Sequence, residues 1–115
     1  MKPNATVISD RRAHDRYPLR TDVMLKSSDG RQFPGRSLDV GKGGMALVID
    51  INPSPGTKFV VQARLPVRPG GSASFEAPIV VASCVLSTGD GGFRIGVQFG
   101  TLSTTAQDVL KRCLP

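Results

Sequence analysis

Arg12-Ala13-His14-Asp15-Arg16 sets two guanidinium groups at an R-x-x-x-R spacing, and Arg11 adds a third beside them. A guanidinium is planar and permanently charged, with a fork of N–H donors. It can hold a phosphate by two bonds, pair with the O6/N7 edge of guanine, or stack on a base. Further along, Asp39-Val40-Gly41-Lys42-Gly43-Gly44 places three glycines after an acid. Glycine permits positive φ and a close approach of backbone to ligand, and the exposed amides of such a turn can form an anion nest. Asp39 has the opposite polarity, an acceptor for the N1–H and N2–H₂ donors of a guanine. Each motif alone also has a plain structural reading. The basic run can be a solvated face, and the aspartate can cap its own glycine-rich hairpin.

These groups must be carried by one small fold. The chain has 115 residues, 15 Lys+Arg and 9 Asp+Glu, a formal net charge of +6. That length suits one domain, and 39% hydrophobic residues suffice for one modest core. The excess charge points to an anionic partner. Its larger share lies in residues 1–42, with nine Lys/Arg against five Asp. Ile79-Val80-Val81-Ala82 is the longest clean apolar run, far short of the roughly 20 residues of a membrane span. No signal peptide follows Met1-Lys2-Pro3-Asn4, so the chain reads as cytoplasmic, with Cys84 and Cys113 as reduced, partly buried thiols.

Met1–Asp10 shows no period and reads as a flexible N-terminal arm, leaving residues 11–115 as a single domain. Pro18 disfavours helix at Tyr17, so the arginine motif leads directly into a strand. Tyr17, Leu19, Val23 and Leu25 alternate with Arg20, Asp22 and Lys26 on one strand. Asp29-Gly30 turns it back onto Arg31–Leu38. Met45, Leu47 and Ile49 mark the next strand, followed by Phe59, Val61, Ala63 and Leu65. Ile79, Val81 and Val85 face one way and Val80, Ala82, Cys84 and Leu86 the other, so this strand is expected to be covered on both faces. Gly89-Asp90-Gly91-Gly92 turns into Phe93, Ile95, Val97 and Phe99. The tail changes period: Ala106, Val109, Leu110, Cys113 and Leu114 form a helical stripe. Thr104 with Gln107 is a candidate capping box, and Asp108, Lys111 and Arg112 suit the helix dipole. The pattern predicts an all-β fold, a small six-stranded antiparallel β-barrel with a C-terminal α-helix.

The two motifs, in this order and joined to the strand Phe93-Arg94-Ile95-Gly96-Val97-Gln98-Phe99, resemble the PilZ domain family from Arg11 through Leu114. Its hallmark is R-x-x-x-R before a barrel that carries [D/N]-x-S-x-x-G. The resemblance implies a receptor for the bacterial second messenger cyclic di-GMP. It implies that Arg12 and Arg16, assisted by Arg11, contact phosphates and guanine edges. Asp39 would bind a guanine edge, with Gly41, Gly43 and Gly44 forming the turn below the ligand. Output would pass in trans to an effector protein. Gly41 stands where the family motif has Ser. The missing hydroxyl bond corresponds to about 0.5–1.5 kcal/mol, and on that account Gly41→Ser should tighten binding.

Two other readings stay open. One is a PilZ-like protein-interaction adaptor that binds nucleotide weakly or not at all. The other is a small basic barrel for nucleic acid, although such barrels usually offer aromatic stacking platforms, and this chain has one Tyr, no Trp and five Phe at largely inward positions. Catalysis is not expected. His14, the sole histidine, has no Ser or Cys partner in a motif, and the two cysteines sit on apolar faces. No metal-ligand or cofactor pattern is present.

Overall fold

A computed structural model describes residues 15–115, and the arm 1–10 together with Arg11 and Arg12 lies outside the described residues. The elements are β1 (Tyr17–Pro18), β2 (Asp22–Lys26), β3 (Gln32–Val40), β4 (Gly44–Ile49), β5 (Lys58–Pro66), β6 (Ser72–Ser87), β7 (Gly92–Phe99) and α1 (Thr104–Cys113). Strands β3-β2-β5-β6-β7-β4 are neighbours in that order, and pairing of β4 with β3 closes the barrel. Every pairing is antiparallel. Closure leaves no edge among these six strands.

The alternation that predicts each strand is the alternation the barrel buries. On β5, Phe59, Val61 and Leu65 are buried, while Lys58 and Arg64 face out. Val23 and Leu25 of β2, Met45, Leu47 and Ile49 of β4 and Ile95 and Val97 of β7 join them in one core. Each such side chain, taken from water, contributes roughly 1.5–3 kcal/mol. Phe75 and Phe99 meet edge to face at 5.6 Å, as do Phe33 and Phe59 at 5.9 Å.

Four local expectations are corrected. The first strand is not continuous: it breaks at Leu19–Thr21, and β1 and β2 pair with separate stretches of β3. The end of β6 is not covered on both faces, for Val85 and Leu86 are 62% and 64% exposed. The β6–β7 hairpin runs past the end of the core, where no layer covers it. The helix cap is Ser103 rather than Thr104; its hydroxyl accepts from the amide of Ala106, and Gln107 Nε2 donates to Leu102 O. The first turn holds no acid, and Asp108 lies 3.5 Å from Arg112 instead, whereas Lys111 and Arg112 do occupy the last turn. Ala106, Val109 and Leu110 are buried as the stripe requires, with α1 laid against β5 and β6.

Candidate nucleotide-binding face

Asp39 faces outward because β3 is irregular. Ser37 pairs with Leu47 on the inside of the barrel, and Asp39 pairs with Ala46 only after the register shifts by one residue. Strict alternation would turn Asp39 inward with Ser37. The bulge takes up Leu38, which is buried like Ser37, and re-aims the carboxylate.

The segment that carries Arg16 is brought to Asp39 by β1. Tyr17 pairs with Val40 and Pro18 with Asp39, so the chain before Tyr17 runs along the end of β3. Ser37 secures the bend behind it. Fully buried, it accepts from the amide of Thr21 at 3.0 Å, and its hydroxyl donates to Leu19 O. At the other end, Tyr17 donates its phenol to Asp15 at 3.3 Å. Burial, and then the neighbouring carboxylate, push the Tyr17 phenol above its ordinary pKa. Within this frame Arg16 Nη1 donates to Asp39 Oδ1 at 2.8 Å. The two side chains are 42% and 27% exposed, so the pair contributes at most about 1 kcal/mol to stability. Its importance lies in orientation.

The three glycines of the turn serve different purposes, and none has a positive φ; that conformation belongs to Gly30, Gly56, Gly71 and Gly91. A Cβ on Gly41 would lie 2.8 Å from the carbonyl oxygen of Asp15 and 2.9 Å from Arg16 Cδ. A Cβ on Gly44 would lie 2.0 Å from Val97 O, whereas Gly43 faces open space. The amide of Gly41 donates to Gly44 O and Gly43 O accepts from the amide of Phe99, both at 2.9 Å. Gly41 N–H is therefore committed to the hairpin and is not a donor of an open anion nest. The space at Gly41 also removes the basis for expecting Gly41→Ser to improve the site, since any side chain there meets the backbone that carries Arg16.

Four further residues escaped the sequence reading. Ser37 is one. The others continue outward from Asp39: Ala46 pairs with Gly96, and Gly96 with Ser83. Ser83 faces out because a second register shift separates it from Val81. Asp39, Ala46, Gly96 and Ser83 thus form one row across four strands, roughly 14 Å at the usual strand spacing. Beyond the carboxylate the row carries only the small residues Ala46, Gly96 and Ser83, which leave room for a planar ring. The sequence signal was present in Gly96, a glycine inside an alternating strand, which marks a bulge or a close approach.

Among the described residues no group of His, Cys, Asp and Glu could hold a metal. No helix there is long and apolar enough to cross a membrane. Burial raises the pKa of both thiols, and Cys84 donates to Asn52 Oδ1 at 3.0 Å.

A closed six-stranded antiparallel barrel with one C-terminal helix, bearing a guanidinium–carboxylate pair beside an outer face of small residues, defines a small barrel with a surface suited to a planar ligand. The PilZ domain model matches residues 10–114, and the chain belongs to that family. Solved structures share the fold. The Bacillus subtilis inhibitor of motility MotI/DgrA superposes with a TM-score of 0.74 at 19% identity, over 90% of this chain and 50% of that one. The PilZ domain with c-di-GMP of YcgR from Escherichia coli gives 0.64 at 20% identity, over 90% and 88% of the two chains. The MrkH–c-di-GMP complex from K. pneumonia gives 0.64 at 20% identity, over 89% and 50%. This chain thus spans about half the length of MotI and MrkH and nearly all of the YcgR domain. No curated protein matches.

Proposed function

We propose that this domain is a non-catalytic receptor for cyclic di-GMP that signals in trans to a protein partner. The observation that carries the reading is the Arg16–Asp39 pair at 2.8 Å, at the head of the row Ala46–Gly96–Ser83. Side by side, a guanidinium and a carboxylate present donor, then acceptors. The Watson–Crick edge of guanine presents the complement: the O6 acceptor, then the N1–H and N2–H₂ donors. With its edge on this pair, a guanine ring has a surface of small residues beneath it. Arg11 and Arg12, from the same motif, supply further forks for the phosphates. Membership of the PilZ family and the c-di-GMP named with the YcgR and MrkH structures support the same ligand.

Gly41 leaves room for the segment bearing Arg16 to lie directly on the turn, and Gly44 leaves room for β7. Ser37 and Tyr17 act as positioning residues for Arg16 and Asp39. Isothermal titration with cyclic di-GMP tests the reading. Saturable heat is expected, and its absence at tens of micromolar folded protein rejects the reading. Arg16→Ala should weaken binding about 10- to 100-fold, the loss of a charge-assisted bond of ~1.5–3 kcal/mol. Arg31→Ala, in the β2–β3 turn and paired with Asp29, should leave affinity unchanged. Equal losses in both variants would mean bulk attraction of an anion.

A further inference from the structure

A groove of about 380 Å³ lies between Lys42 of the Asp39–Gly44 turn and α1. Its floor is Leu102, Leu110, Leu114 and Pro115, and Lys42 from the turn and Lys111 from α1 stand beside it with Gln107. Leu110 and Leu114 belong to the helical stripe and are buried in the core, so they show the groove only an edge, beside the half-buried Leu102. Among the described residues no Asp or Glu side chain lines the groove. Leucines below with ammonium groups above are complementary to a segment of one pattern: two or three large apolar residues flanked by carboxylates, as on an acidic amphipathic helix. Nucleic acid has no apolar side chain to place on that floor. A second copy of this chain, at +6, would meet electrostatic repulsion.

We propose that this groove docks an acidic amphipathic peptide segment of another protein. The inference goes beyond nucleotide binding and stands without it. The small floor limits the contact to a weak, reversible one. Lys42 lies between Gly41 and Gly43, so an occupant of the groove and a ligand on the face share one turn. Any coupling between the two is reciprocal by linkage.

The test is selection of displayed random dodecapeptides on the full chain without nucleotide, so that its result is independent of the cyclic di-GMP reading. Enriched peptides should carry Asp or Glu around paired large apolar residues. A synthetic copy should bind Lys111→Glu roughly five- to tenfold more weakly than wild type. Lys111→Arg should retain binding, and Lys111→Gln serves as the milder variant should Lys111→Glu melt early. A copy with its acids changed to Lys should instead prefer Lys111→Glu. Enrichment of peptides without acids, no enrichment at all, or equal binding by wild type and both Lys111→Glu and Lys111→Gln, overturns the proposal. So does self-association in sedimentation that Lys111→Glu abolishes, because that assigns the groove to a second copy.

Discussion

Two glycine-rich turns in this barrel have nearly the same composition and different reasons for their glycines. In Gly89-Asp90-Gly91-Gly92 the acid serves its own hairpin: Ser87 donates to Asp90 Oδ2 at 2.7 Å, Arg36 donates to the Asp90 carbonyl at 2.7 Å, and Gly91 takes φ +81°. In Asp39–Gly44 no glycine has positive φ, and the acid reaches Arg16, distant in sequence, across a strand pair. Gly41 and Gly44 are glycine because other backbone lies where a side chain would be. The first turn needs a left-handed torsion at Gly91 and, at Gly92, room for Ile49 O; the second needs only room for what is packed on it. An acid whose side chain bonds within its own turn stabilises a hairpin, whereas one whose side chain reaches a residue distant in sequence can assemble a site.

Substitution separates the two. The largest expected effect is at Gly44→Ala, where a Cβ 2.0 Å from Val97 O forces β4 and β7 apart. Stability should fall by about 3 kcal/mol, the upper part of the usual overpacking range, together with loss of nucleotide binding. Denaturant unfolding and titration check both. Asp39→Asn comes next, with affinity for cyclic di-GMP down about 10- to 100-fold and little change in melting. Asp90→Asn should do the reverse, lowering stability by up to about 1 kcal/mol at constant affinity. If both asparagine variants lose affinity alike, the distinction between the turns fails.

Gly41→Ala should weaken binding several-fold, about 1 kcal/mol, by displacing the backbone at Asp15; a tighter complex would show that the Arg16–Asp39 pair obstructs the ligand. Gly91→Ala should cost about 1–2 kcal/mol for a left-handed alanine, with affinity unchanged. The smallest effect is at Gly43→Ala, whose Cβ meets nothing within 4 Å. Melting and affinity should both stay at the wild-type values.

Much of the barrel is legible in the chain. The alternation of Phe59, Val61 and Leu65, and of Ile95 and Val97, appears in the structure as written, as does the stripe Ala106, Val109 and Leu110. The failures are at irregularities. The break at Leu19–Thr21 depends on Ser37, whose hydroxyl serves a bend many residues upstream. The exposure of Val85 and Leu86 depends on the hairpin outrunning the core, and apolar type alone does not show whether a neighbouring layer exists. The cap at Ser103 lies one residue from the expected Thr104, because both hydroxyls suit that role and only the backbone torsion at Ser103 decides.

The sequence by itself determined the fold class and the chemistry within reach: period-two apolar runs, one helical stripe, and arginines and an aspartate spaced as in the PilZ domain. Side-chain period and charge are local properties, so a linear chain displays them. Tertiary structure decided where Asp39 points, through a bulge defined only against β4, and that Arg16 is its partner, through pairing of β1 with β3. It also decided that Ala46, Gly96 and Ser83 share one face and that Gly41 has no room for a hydroxyl. Register and steric contact are relations between segments distant in sequence, and they exist only once the barrel is closed.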